Sequence, residues 1–157
     1  MKMNKSGLPL GKVVSIAVRP IKKAVPQPLV EAKLNTKNGL EGDHYSGQSG
    51  KRQLTLISEQ EIIETARLLN KDKIDPVLTR RNLLYSGVPI SENENRHIAI
   101  GNDLLIQITG PCHPCKQMDE NFGPGAENAM KGRAGLTARV INEGKIKVGD
   151  KLFFVDI

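Results

Sequence analysis

The chain has 157 residues and a formal net charge of +6, a length that suits one domain, taken as residues 1–157, with a sizeable core. The basic balance favours an anionic partner. With no Trp, two Tyr and three Phe, the chain offers few rings on which single-stranded bases could stack, which argues against nucleic acid. No apolar run approaches the roughly 20 residues of a membrane helix. The basic start MKMNKSGLPLGKVV lacks the apolar core of a signal peptide, and two cysteines are too few for a secreted disulfide scaffold. A cytoplasmic protein with reduced thiols and no membrane association is expected.

In chain order, KVVSIAVR (Lys12 to Arg19) is rich in β-branched residues and predicts a strand. Three prolines in RPIKKAVPQP then break regular structure. LVEAKLNT (Leu29 to Thr36) alternates well enough for a second strand. NGLEGDHYSGQSGKR, from Asn38 to Arg52, is polar and glycine-rich, a long loop of the kind that carries function in a compact domain. QLTLI (Gln53 to Ile57) is a strand. Ser58 and Glu61 fit a capping box ahead of an apolar pattern at Ile62, Ile63, Ala66 and Leu69, which predicts one main helix over Glu59–Leu69.

NLLYSGVPI reads as a strand and turn. HIAIGNDLLIQITG reads as a hairpin turning at Gly101-Asn102, whose second strand runs directly into GPCHPC, Gly110 to Cys115. GAENAMKG suits a short helical turn, and LTARVINEGKIKVGDKLFFV suits two strands around Asn142-Glu143-Gly144. Seven or eight short strands with one main helix predict a mainly β protein, a barrel.

GPCHPC holds both cysteines. A C-x-x-C pair supplies half of a tetrahedral zinc site, but the other half would have to come from His44, His97 and His113, and no second pair stands at zinc-finger spacing. A thioredoxin-like redox pair fits the spacing, but no long helix is expected after Cys115 and the βαβ context is missing. The remaining alternative is a pair of small buried thiols, although the polar and proline neighbours favour at least one exposed thiol.

In GLEGDHY, Asp43 stands beside His44, where a carboxylate can fix an imidazole tautomer. On this motif alone a solvated surface turn is the commoner use of such a stretch. In TRRN, Arg80 and Asn82 precede a strand; alternation places them on one face, with Arg81 on the other. Guanidinium forks match phosphate oxygens, while a solvated basic edge is the commoner use of such charge. Lys51, Arg52 and Arg133 add cations near polar loops. Arg139, in the middle of a strand, would need a partner if it faced inward.

Taken together and in order, GLEGDHY, KRQLTLIS, TRRNLL, the hairpin entering the cysteines and GRAGLTARVINEGKIKVGD resemble the MOSC domain family, the domains related to the C-terminal part of molybdenum cofactor sulfurases. The resemblance runs from Lys12 to Phe154. One detail departs: His44 follows Asp43 directly, where the family's pattern tolerates a residue between them. The resemblance implies a MOSC-type β-barrel and a role with a molybdopterin-type cofactor or with sulfur transfer to it.

Pro114-Cys115 matches the family's hallmark thiol, which makes Cys115 the expected catalytic residue and molybdenum ligand. Arg80 and Asn82 match the positions on the cofactor's phosphate and pterin side, and Asp43, His44 and Arg52 would line the same cleft. Cys112 has no general counterpart and is left a supporting or resolving role.

The resemblance leaves open a cofactor carrier, a small reductase component and a persulfide carrier using the same thiol. No pyridoxal phosphate and no Fe–S cluster is expected in this chain. Sulfur would come from a separate pyridoxal-phosphate-dependent cysteine desulfurase, and electrons from a separate electron-transfer protein. A non-enzymatic anion- or RNA-binding module is the alternative of a different class.

Overall fold

The computed structural model describes residues 3–22, 24–44, 50–90 and 96–156. The chain opens on a long strand, β1 (Asn4–Val18). Its first half is exposed, and its second half turns Val13, Ile16 and Val18 into the core. Past the prolines, the expected single strand over Leu29–Thr36 is two short ones, β2 (Gln27–Leu29) and β3 (Glu31–Asn35), which belong to different sheets. β4 (Gly39–Leu40) then folds back on β3 inside what the sequence presents as polar loop. Apolar Leu34 and Leu40 sit opposite one another there, both fully buried, so two buried residues nucleate a pairing that composition alone hides.

β5 (Leu54–Ser58) is buried along its whole length. Leu54 and Leu56 face the barrel interior, while Ile57 faces a second apolar layer outside the wall. Ser58 is the N-cap of α1 (Glu59–Leu68), and the predicted capping box is present in both directions. The Ser58 Oγ accepts from the Glu61 N–H at 3.1 Å, and the Glu61 carboxylate accepts from the Ser58 N–H at 3.0 Å. The same carboxylate accepts from the Gly135 N–H at 3.0 Å, so one residue caps a helix and anchors a distant strand.

A 3-10 turn (Pro76–Thr79) follows, begun by Asp75, whose carboxylate accepts from the Val77 N–H. β6 (Leu83–Tyr85), β7 (His97–Ile100) and β8 (Leu104–Pro111) come next, with β7 and β8 forming the predicted hairpin around Gly101. α2 (Gln117–Phe122) and α3 (Ala126–Ala129) are short. The C-terminal stretch forms three strands where two were expected: β9 (Leu136–Asn142), β10 (Gly144–Lys147) and β11 (Lys151–Asp156). β10 pairs with β3 in the small sheet, and Ile146 is the buried residue that docks it.

The strands close a seven-strand β-barrel. Around the ring the order is β11-β7-β8-β9-β5-β6-β1, and β1 returns to β11. Among the described strands β5 and β6 run parallel, with α1 in the crossover, and the other pairings are antiparallel. Closure leaves no edge along the barrel wall. The interior is filled by branched aliphatics such as Leu56, Leu83, Ile98, Ile106 and Leu136. The second layer holds Ile57 and Leu84 from the wall, Ile62 and Ala66 from α1, and Met118 and Phe122 from α2, with Cys112 among them. Arg139 lies on the half-buried face of β9 that alternates with inward Leu136, Ala138 and Val140. Its Nε, shut off from solvent, has no hydrogen-bond partner.

Gly135, directly before β9, lies very close to the backbone of β5. Its φ is +91°, and a Cβ there would stand 2.2 Å from the Leu56 carbonyl oxygen. Gly135→Ala therefore combines a left-handed backbone cost of about 1–2 kcal/mol with overpacking of about 1–3 kcal/mol. Denaturant unfolding is expected to show a loss of roughly 2–5 kcal/mol on those figures. A loss near zero would mean that β5 and β9 can separate at little cost.

Candidate functional site

The residues that the sequence singles out come from four segments. Asp43 and His44 follow β4, Arg52 precedes β5, Arg80 to Asn82 join the 3-10 turn to β6, and Cys112 to Cys115 follow β8. Arg19, directly after β1, completes the set.

Asp43 is the hub. Its side chain is 4% exposed and forms a buried ion pair with Arg19, whose side chain is 7% exposed. The contact is a fork: Nε donates to Oδ1 at 3.2 Å and a terminal nitrogen donates to Oδ2 at 2.8 Å. The Arg19 backbone N–H donates to Oδ1 as well, at 2.8 Å. The Asn82 amide donates to the same oxygen at 3.2 Å and also to the Ala17 carbonyl. Its own oxygen accepts from the Thr55 N–H and hydroxyl. Asn82 is 2% exposed, and its carboxamide is engaged inside the protein.

The imidazole of His44 is set by a different partner from the one the sequence suggests. Its Nδ1 lies 3.0 Å from the Arg19 carbonyl, and its backbone N–H donates to the same oxygen at 2.6 Å. A carbonyl only accepts, so Nδ1 carries a proton, and in the neutral tautomer Nε2 is the acceptor. Asp43 reaches Arg19 instead.

The expectation that Arg80 and Asn82 share one face of a strand, with Arg81 on the other, does not hold. Arg80 caps the 3-10 turn with φ +65°, and the strand begins only at Leu83. All three residues are buried. The Arg80 guanidinium donates to the Ala24 carbonyl. Burial pushes its pKa down and the nearby Arg19 charge adds to that, while Asp43 and Cys115 oppose it. Beside it lies a hollow of about 60 Å³ lined by Arg80, Gln117, Asn121 and the 24–26 stretch.

Arg81 turns inward beneath the cysteine loop. Its pKa is pushed down chiefly by burial, opposed most by Cys112, with Arg52 and Arg19 lowering it further and Cys115 opposing. Arg52 is half-buried and lies within electrostatic reach of Arg81 and Cys112.

The two cysteines differ sharply: both are free thiols, Cys112 buried and Cys115 exposed. Cys112 is 5% exposed within the second apolar layer, and its N–H donates to the Gly135 carbonyl at 2.8 Å. Burial pushes its thiol pKa up, with the Arg81, Arg52 and Arg19 charges opposing and Glu61 adding to the rise. Tyr85 is likewise pushed up, mainly by burial. Both groups keep in the native state a proton that the unfolded chain releases first. Their contribution is complete below the unfolded thiol value of about 8.5 and is lost as pH rises through it. The melting temperature is therefore expected to fall between about pH 8 and pH 10, less steeply for Cys112→Ala. An unchanged slope in that variant would remove the buried thiol from the account.

Among the described residues, no cluster of three or more His, Cys, Asp or Glu is placed to hold a metal ion, so the Cys–His zinc site weighed from the sequence does not form there. The helix that follows Cys115 is six residues long, short of the long helix a thioredoxin-like pair requires. No helix among the described residues is long and apolar enough to cross a membrane.

Cys115, Asp43, His44, Arg80, Asn82 and Arg52 stand in recognisable motifs, and the fold brings them to one region of the wall. Arg19 and Thr55 join them without such a motif. The available signal at Arg19 is a charge closing an apolar strand directly before a proline, in VVSIAVRP. No local pattern marks its tie to Asp43.

The comparisons agree with this architecture. The structure is similar to that of the YuaD protein from Bacillus subtilis, with a TM-score of 0.82 at 18% identity, covering 94% of this chain and 96% of that one. It is also similar to YiiM from Escherichia coli, with a TM-score of 0.68 at 21% identity, covering 93% and 70%. YiiM from Geobacillus stearothermophilus matches with a TM-score of 0.67 at 17% identity, covering 99% and 76%. At these identities the likeness is one of fold. A search of curated proteins found none that matches. The model of the MOSC domain matches residues 37–153, which include Asp43, Arg80, Asn82 and both cysteines, and the chain belongs to the MOSC domain family, a family related to the molybdenum cofactor.

Proposed function

We propose that this chain binds a molybdenum–pterin cofactor, with the Cys115 thiolate as ligand to the metal. The observation that carries this reading is an exposed thiol set against buried positive charge. Cys115 is exposed, and Arg19, Arg80 and Arg81 are each less than a tenth exposed behind it. Among the described residues the ion pair that Arg19 makes with Asp43 is the one salt bridge these guanidiniums form.

The donor set fits the group. Thiolate is a soft metal ligand, and guanidinium is the side chain suited to phosphate oxygens. Arg80 would donate to a phosphate; in support, its charge lies within electrostatic reach of the Cys115 thiol and it lines the adjacent hollow. Asn82 serves by holding the Asp43 carboxylate, which in turn orients Arg19. His44 Nε2 and Arg52 supply an acceptor and a further cation at the cleft. When bound, the cofactor supplies redox chemistry at the metal.

Elemental analysis tests the reading directly. Protein purified from a cofactor-producing host is expected to carry molybdenum approaching one atom per chain. Molybdenum at background levels in freshly purified, folded protein would overturn it. An exposed Cys115 is equally open to a sulfur donor protein, which supports persulfide carriage as the second reading. In that case incubation with a cysteine desulfurase and free cysteine moves the outer sulfur of the desulfurase persulfide onto Cys115 and frees the desulfurase thiol, and a metal-free protein that gains none is no carrier.

A further inference from the structure

Arg81 adds charge behind the thiol, but the cofactor reading gives its hydrogen bonds no task. It is 7% exposed and donates to carbonyls of three segments. Its Nε reaches Ala134 at 2.7 Å, and its two terminal nitrogens reach Thr79 at 3.3 Å and His113 at 3.4 Å. Ala134 immediately precedes Gly135, whose carbonyl accepts from the Cys112 N–H at 2.8 Å. The Cys115 carbonyl accepts from the N–H of buried Met118 at 3.0 Å. The short loop bearing Cys115 is therefore pinned at Cys112, at His113 and at its own carbonyl. Arg81 makes the pin at His113 from below and also holds Ala134, the residue next to the Gly135 that receives Cys112.

Neutral donors could bridge three carbonyls. A buried charge costs several kcal/mol after relaxation, and among the described residues no carboxylate stands within ion-pair distance of Arg81. The nearby groups that oppose its loss of charge are the thiols of Cys112 and Cys115. A cation in that position matches an anionic group presented by the loop. Lysine is a poor replacement, since its three donors sit on one nitrogen, whereas the planar guanidinium here donates to three segments from three different nitrogens.

We infer that Arg81 is a positioning residue for Cys115: it fixes the His113 turn from beneath and gives the thiol loop a permanent cationic floor. This rests on the reading that Cys115 is the group that bonds the metal or sulfur, whichever of the two it is.

The test uses metal-free protein, so it is independent of molybdenum content. Native protein is treated with iodoacetamide at fixed pH, well below the melting temperature, and the cysteine peptides are quantified by mass spectrometry. Wild-type protein is expected to label at Cys115 and spare Cys112. In Arg81→Lys and Arg81→Met the freed loop is expected to raise Cys112 labelling relative to Cys115 at least tenfold, with lysine giving no rescue. Variants that melt lower yet keep the wild-type labelling ratio would reduce Arg81 to a general structural staple and overturn the inference.

If neither variant folds, the wild type carries the test by NMR. Carboxamidomethylation of Cys115 is expected to shift the Arg81 Nε–H resonance, and an unmoved resonance overturns the inference. A protein with wild-type labelling behaviour but no molybdenum would instead fail the cofactor reading alone.

Discussion

Asp43→Ala is expected to destabilise the protein by about 3–5 kcal/mol, the cost of stripping one partner from a buried ion pair. The carboxylate accepts from two guanidinium nitrogens, a backbone N–H and a carboxamide, so its removal leaves several buried donors unanswered at once. It also leaves Arg19 and Arg80 facing each other without the negative charge that offsets them. For a chain of this size the melting temperature should fall by roughly 6–20 °C, at about 2–4 °C per kcal/mol.

Arg19→Met combined with Asp43→Ala should recover part of the loss, because the unpaired Arg19 charge and its repulsion of Arg80 are then removed. The double-mutant cycle gives the coupling. A single-variant loss below about 1 kcal/mol, the range of exposed pairs, would show that water reaches and screens the pair.

Cys115→Ser has the opposite profile. The thiol is exposed, so stability should stay within about 0.5 kcal/mol of wild type. Bound molybdenum is expected to drop at least tenfold, since a neutral hydroxyl is a poor substitute for a soft thiolate ligand.

Cys112→Ser separates the two cysteines. A hydroxyl placed in the apolar layer around Ile57, Ile62, Met118 and Phe122 should cost about 1–3 kcal/mol if it finds no partner, while the folded fraction keeps its molybdenum. Full metal content in Cys115→Ser would remove Cys115 as ligand, and equal metal loss in both variants would point to a shared role for the pair.

What was legible in the sequence was local. The capping box at Ser58 and Glu61, the hairpin at Gly101 and the main helix all rest on residues within a few positions of one another, and all are present. The split of Leu29–Thr36 into strands of two sheets was hidden because alternation reports burial and not partnership: β2 joins β1, while β3 joins β4 and β10. β10 was missed because one buried residue, Ile146, carries its docking.

The same limit governs the site. Cys115, Asp43 and Arg80 stand in motifs, whereas Arg19 acquires its meaning only from a carboxylate 24 positions away. The face assignment at Arg80 to Asn82 failed because a left-handed residue at Arg80 breaks the alternation on which such assignments depend.

The barrel seam has a consequence for the order of assembly. β1 and β11 close the ring by pairing Asn4 with Asp156 and Lys12 with Lys151, contacts between the two ends of the described chain. Pairings of such separation carry the largest loop-closure entropy and form late. Arg19 leaves the far end of the same β1. A chain still awaiting its last strand can therefore already display the Cys115 thiol on the completed β7–β8 hairpin, but without a settled guanidinium wall behind it. Mutations that weaken the seam, remote from any ligand, would then mimic the loss of a binding residue. The fraction of chains competent to bind would fall while the affinity of each folded chain stayed the same.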